Sequence, residues 1–365
     1  MWPDRRLIDL FDIEHPIVLA PMAGFCTTRL AAEVCASGAL GSIGCGVMSP
    51  EVAATTIREL RGLTDRPINV NFFCHAPANA TDSGKQAWRN RLLAYYRELD
   101  IAADPAANAA GLSPFNADMC AVVEATRPEV VSFHFGLPAQ PLLARVKAAG
   151  CRVMSSATTV EEARWLEAHG ADVIIAQGYE AGGHRATFLA ADVTTAMASQ
   201  SGSMALLPQI VDAVSVPVVA AGGIADGRGI LAACALGAAG VQIGTAYLLC
   251  PEAGTPPMHR DALRNAEADA SVLTNVFTGR PARAMTNRFI REVGPMSDKT
   301  PPFPAAMDGS TPLRSAAERS GSTEFSSFWA GQAAPLVRET PAAELTARLV
   351  KEAAEQFARL SGKVI

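Results

Sequence analysis

No basic run interrupts this sequence, and its net charge is -5. That combination excludes nucleic acid and anionic membrane as expected partners, because either needs a cationic surface. No apolar stretch is long enough to cross a bilayer, and "MWPDRRLIDLFDIEH" lacks the apolar centre of a signal peptide, so a cytoplasmic protein is expected. Charged residues are only 18% against an apolar share of 49%, which leaves a compact globular chain. None of the eight cysteines forms a CxxC pair, and most sit in apolar runs. They read as reduced thiols packed as small hydrophobes, with no structural metal. There is also no GxSxG elbow, no HExxH, and no cysteine in a glycine-rich loop, which sets aside covalent and zinc-dependent catalysis.

What is present is alternation. Short Val- and Ile-rich runs recur at "IVLA" (17–20), "ALGSIG" (39–44), "INVNFF" (68–73), "EVVSFHF" (129–135), "CRVMSSA" (151–157), "ADVIIAQ" (171–177), "VPVVAAGG" (216–223) and "GVQIGT" (240–245). Helix signals separate them. Thr159 with Glu162 forms a capping box, Ser49 precedes Pro50 as an N-cap, and Asp226 opens a helix that stops at Gly237. Apolar strands each followed by a helix indicate a parallel sheet, and eight such units favour closure into a (β/α)8 TIM barrel. A dinucleotide fold would want GxGxxG after the first strand, where the chain reads "APMAGF".

Two stretches break the spacing. Residues 74–115 hold the helical "QAWRNRLLAYYREL" and the loop-like "DPAANAAGLSPFN", and the region after 251 includes "SDKTPPFPAAMDGSTP", which reads as an ordered loop or lid. The barrel is therefore assigned residues 1–74, 116–250 and 331–365. An insertion and lid at 75–115 and 251–330 form a second, mainly helical domain. The C-terminal "PAAELTARLVKEAAEQFARL" has helical period and is expected to pack back on the barrel.

Active sites of such barrels lie in the loops after the strands. That rule selects Pro21 to Gly24 (Pro21 and Met22 foremost), Asn71, His134, Gln177 to Arg185, Gly222 and Gly223, and Gln242 to Thr245. The glycines after strands seven and eight suit a phosphate, and the amides of Asn71, Gln177 and Gln242 suit the edge of a flavin or another heterocycle. Alternatively, the amides satisfy polar groups inside the barrel. In "QGYEAGGHRA" (177–186), Gly182 and Gly183 bring the backbone close to a planar ring, and His184 projects over it as the best-placed base. Arg185 is expected to disfavour the charged imidazole and to attract anions, and Glu180 to orient the loop or pair with Arg185. His134 stands between lining the cavity and serving as a core histidine. So few ionisable groups at the mouth imply that a cofactor carries the chemistry.

Together "APMAG" (20–24), "NVNFF" (69–73), "SFHFGLP" (132–138), "AQGYEAGGHR" (176–185), "AAGGIADGRG" (220–229) and "QIGTA" (242–246) resemble the class I nitronate monooxygenases. "TGRPAR" (278–283) and "FWAGQ" (328–332) are also in the family's style. The resemblance implies FMN held without a covalent bond by Asn71, Gln177, Gly182, Gly223 and the run Gln242, Ile243, Gly244 and Thr245, with His184 as catalytic base. It implies oxidation of alkyl nitronates by O2 to a carbonyl compound and nitrite without NAD(P)H, propionate-3-nitronate being the typical substrate. A monomer or homodimer is expected. Where the family reads HRG this chain has Ala186, which would disfavour positive φ and tighten the mouth. Two rival readings stand beside it: an FMN-dependent NAD(P)H:quinone or enoyl-ACP reductase, and a barrel that binds flavin without turning it over.

Overall fold

The computed structural model describes residues 2–77, 80–102 and 112–362. Its strands in chain order are β1 Ile17–Leu19, β2 Gly41–Gly44, β3 Ile68–Phe73, β4 Val130–His134, β5 Arg152–Ala157, β6 Val173–Gln177, β7 Gly183–His184, β8 Val218–Ala221, β9 Gly240–Ile243, β10 Ser271–Thr274 and β11 Ala282–Met285. Eight of them form one parallel sheet in the order β1-β9-β8-β6-β5-β4-β3-β2. A parallel bridge between Val18 and Leu40 joins its two ends, so the sheet is a TIM barrel. All eight expected strands are present, each shortened by a residue or two at its ends except β3.

The strands are buried on both faces, as their continuous apolar runs require. Inside the barrel Val18, Val130, Met154, Ile175 and Val219 meet, and Leu7 and Phe11 of helix Arg6–Phe11 join the same cluster. The outer faces pack against helices that start where caps were read: Ser49 accepts from the Val52 amide, Thr159 from Glu162, and Asp226 from Arg228. The capping box at Thr159 is only half made. The buried Glu162 carboxylate reaches Thr158 instead, and also accepts from the Phe188 amide at 2.7 Å, tying down the loop after His184. Helix Ala342–Leu360 returns to the barrel, where Glu352 accepts from the amide of Gly227 at 3.0 Å.

A second core lies beyond the strand ends. Helix Asp82–Glu98 supplies Trp88, Leu92 and Tyr96, which pack with Phe277, Phe289, Leu313 and Phe325. Within "SDKTPPFPAAMDGSTP" the structure corrects the sequence reading: the loop ends at Ala306, and Met307–Arg319 is a helix with Pro312 inside it. Proline there removes one helical hydrogen bond, and burial of Leu313 and Ala317 offsets the loss. Most of "DPAANAAGLSPFN" lies outside the described residues. No helix among the described residues is long and apolar enough to cross a membrane.

Candidate active site

The loop after β6 leaves the barrel and enters a different sheet. Gly183 and His184, read from sequence as part of a loop, form β7, which pairs antiparallel with β11: Gly183 lies opposite Arg283 and His184 opposite Ala282. Gly183 makes the turn at φ +71°, where a side chain would be strained. The result is a histidine held between the barrel and the lid, on the wall of a cavity of about 310 Å³ at the C-terminal ends of the barrel strands.

Both the ring and the backbone of His184 are fixed. Its Nε2 lies 2.9 Å from Thr278 Oγ1, and the Thr278 hydroxyl has the Arg280 carbonyl 3.3 Å away as acceptor for its own hydrogen. This network assigns the ring hydrogen to Nε2 and leaves the Nδ1 lone pair without a partner among the described residues. The His184 carbonyl accepts from Gln177 Nε2 at 2.9 Å and from His134 Nε2 at 3.1 Å. Gln177 Oε1 accepts from the Ala186 amide, so one side chain bridges the backbone on both sides of Arg185. The rings of Phe303 and Trp329, at 5.5 and 5.4 Å, complete the surroundings.

Burial pushes the His184 imidazole down to about 3, and the cationic Arg280, with His134 and His75 wherever they take up a proton, acts in the same direction. Burial likewise takes His134 down to about 4. Both rings are neutral near pH 7. The guanidinium that matters here is Arg280, stacked 4.0 Å above the ring of Phe135 and bonded to the Thr187 carbonyl. Phe135 has φ +72°, an uncommon conformation for a residue with a Cβ, and its ring lies 5.9 Å from that of His184. The "FHFG" stretch thus turns the chain so that Phe135 can support both Arg280 and His184.

Arg185 does not play the part expected of it. It is buried, and donates to the carbonyls of Gln177 and Gly178 and to Gln200 Oε1, away from the cavity. Glu180 does not pair with it; both carboxylate oxygens accept from Ser203. Ala186 is buried outside the cavity with no positive φ, so the expected tightening of the mouth is absent.

Pro21, Met22, Asn71, His134, Gln177, Gly182, Gly222, Gly223, Gln242, Gly244 and Thr245 all line the same cavity as His184. Ile243 does not: as the intervening strand residue it faces the outer core, and its carbonyl accepts from the Ala20 amide. Gln242 Oε1 is buried without a partner among the described residues, while Asn71 donates to Ser132 through Nδ2. Gly222 and Gly223 sit at φ +106° and +77° on the cavity wall, and a Cβ at Gly222 would lie 2.9 Å from the Ala181 amide, so the close approach of that loop requires glycine. Thr278, Phe303 and Trp329 were not singled out from the sequence. Thr278 and Trp329 lie within "TGRPAR" and "FWAGQ", whereas nothing in the pattern around Phe303 distinguishes it from a packing residue.

A sequence model described as nitronate monooxygenase matches residues 4–352. A nitronate monooxygenase of Paraburkholderia phytofirmans is 42% identical over 98% of this chain and 97% of its own length. One from Pseudomonas aeruginosa is also 42% identical, over 95% and 98%. Among solved structures, a nitroalkane oxidase from Streptomyces ansochromogenes is 39% identical with a TM-score of 0.89, covering 97% of this chain and 99% of the other. FabK from Thermotoga maritima gives 29% and 0.73, with 99% of each chain covered.

Proposed function

The chain belongs to the nitronate monooxygenase family, and from that premise we propose that it oxidises alkyl nitronates with O2, using bound FMN and no NAD(P)H. Overall, two nitronates and one O2 give two carbonyl compounds and two nitrite ions. The observation that carries the reading is His184: a neutral imidazole whose Nδ1 has no partner among the described residues, held rigidly on the wall of the cavity.

The cavity fits a flavin. The unpartnered Gln242 Oε1 offers an acceptor to a ring N–H, and the amides around Gly222, Gly223 and Gly244, with the Thr245 hydroxyl, suit a phosphate. Pro21 and Met22 supply an apolar wall, while Asn71, Gln177 and Gly182 lie at the strand ends where a ring edge would meet them. When bound, FMN supplies the electron acceptor and the site of reaction with O2.

The protein's own task is to bind, orient and move a proton. With a neutral nitroalkane, His184 Nδ1 takes the proton from the carbon that bears the nitro group, while Thr278 holds Nε2 and so fixes the ring's direction. The anion left on the substrate offsets the unfavourable positive charge of an imidazolium near Arg280. A nitronate arrives already deprotonated and needs no base. Phe303 and Trp329 limit the water around the reacting carbon.

Anaerobic rapid mixing of the flavin-loaded protein tests this. Propionate-3-nitronate is expected to bleach the flavin quickly, and NADH and NADPH slowly or not at all. Fast bleaching by either nucleotide would instead support the reductase reading. In the same experiment His184→Asn should lose at least about 100-fold of its rate with nitroethane and far less with preformed ethyl nitronate. Equal rates of variant and wild type on nitroethane would remove His184 as the base.

A further inference from the structure

Helix Met307–Arg319 turns Met307, Ser310, Thr311 and Arg314 toward the cavity, a spacing that places them on one helical face. Ser310 is used within the protein, its hydroxyl donating to the Phe277 carbonyl. Arg314 is not so engaged. Among the described residues that line the cavity it is the sole Lys or Arg, and the single lining carboxylate, Glu180, is occupied by Ser203. Arg314 Nη1 donates to Ser327 Oγ at 3.2 Å, and no described residue forms an ion pair with its guanidinium. One hydrogen bond leaves most of the five N–H donors of this planar group available.

We propose that Arg314, with the Thr311 hydroxyl one helical turn away, is the residue that anchors a carboxylate at the far end of the substrate and so sets the preference for a nitronate that carries one. The inference rests on the nitronate reading and adds the group that reads the tail. Arginine is suited to this, since its fork matches the two oxygens of a carboxylate. His184 and Arg314 line one cavity, whose wall also holds Ser327 and Trp329. Ser327, which holds Arg314, is two residues from Trp329, a span of roughly 7 Å at full extension. The Trp329 ring lies 5.4 Å from that of His184. A nitronate with a carboxylate tail would meet His184 at one end and Arg314 at the other, in a cavity that Phe303 and Trp329 also line.

The test compares kcat/KM for propionate-3-nitronate and for butyl-1-nitronate, whose tail ends in a methyl group, at low ionic strength. Wild-type, Arg314→Met and Arg314→Lys holoenzymes are measured. The ratio of the two values is expected to fall by about 10- to 100-fold in Arg314→Met, through KM of the carboxylate substrate. Arg314→Lys should recover part of it, having the charge without the fork. An unchanged ratio overturns the proposal. So does an Arg314→Met protein that no longer retains flavin, which would assign the guanidinium to the cofactor. If flavin-loaded wild type turned over neither nitronate, the nitronate reading would fail by itself, and calorimetric binding of 3-nitropropionate would decide the anchor separately. At least 10-fold weaker binding to Arg314→Met supports it, and equal binding overturns it.

Discussion

At the scale of single residues the site depends on where two hydrogen atoms are. The Thr278 hydroxyl, with the Arg280 carbonyl as acceptor, faces Nε2 of His184 and so places the ring hydrogen there. The His134 and Gln177 side chains both donate to the His184 carbonyl, which holds the backbone that carries the ring. Thr278→Val keeps the shape of the side chain and removes the acceptor, leaving a buried N–H unpaired at a cost of about 1–3 kcal/mol. The expected outcome is a loss of roughly 10-fold in kcat/KM with nitroethane, clearly larger than the loss with propionate-3-nitronate, and an altered pH profile. Equal losses on both substrates would show that Thr278 acts only through the fold.

At the scale of elements, the lid is held by one helix lying on another. Trp88 of helix Asp82–Glu98 donates to the Ala306 carbonyl at 3.1 Å, and Tyr96 to the Gly309 carbonyl at 2.8 Å. Glycine inside a helix normally costs up to about 1 kcal/mol against alanine, so Gly309→Ala would stabilise an isolated helix. Here the new Cβ would lie 2.8 Å from Trp88 Nε1 and 2.9 Å from Leu92 Cδ1. Trp88 is fully buried and hydrogen-bonded, so it cannot give way cheaply. Overpacking of this kind costs about 1–3 kcal/mol, which exceeds the helical gain. Gly309→Ala should therefore lower stability by about 1–2 kcal/mol in urea unfolding. A more stable variant would mean that the two helices do not pack as described.

At the scale of the whole molecule, three desolvated histidines, two on the cavity wall and one in the core, couple stability to pH. Burial takes His184 down to about 3, and His134 and His259 to about 4. In the unfolded chain each titrates near 6.5, so between these limits the unfolded state binds more protons and stability rises with pH. The contribution is fully present above about pH 6.5 and is lost as the pH falls toward the folded-state values. Thermal unfolding of the holoenzyme should show a Tm nearly flat from pH 8 to 7 that declines steadily from about 6.5 to 4.5, above the range where most carboxylates titrate. A flat Tm across that interval would show that these rings are not buried in neutral form.

The strands of the barrel, its helix caps and nearly all the strand-end residues of the cavity were legible in the sequence because each depends on local chemistry. Apolar runs bury themselves, Ser49, Thr159 and Asp226 cap the residues that follow, and a parallel barrel brings strand ends to one face. Residues far apart in the chain were decided by tertiary structure alone. Thr278 meets His184 across 94 positions, and Arg280, far beyond the last barrel strand in the chain, stacks on Phe135 just after β4. Arg185 turned inward because three acceptors from the loop and Gln200 converge on it, which no spacing announces. Ile243 turned outward because strand residues alternate faces, and its place in β9 was fixed only by pairing with β1 and β8. Local chemistry thus determined which loops build the site, whereas long-range packing determined which side chains act in it.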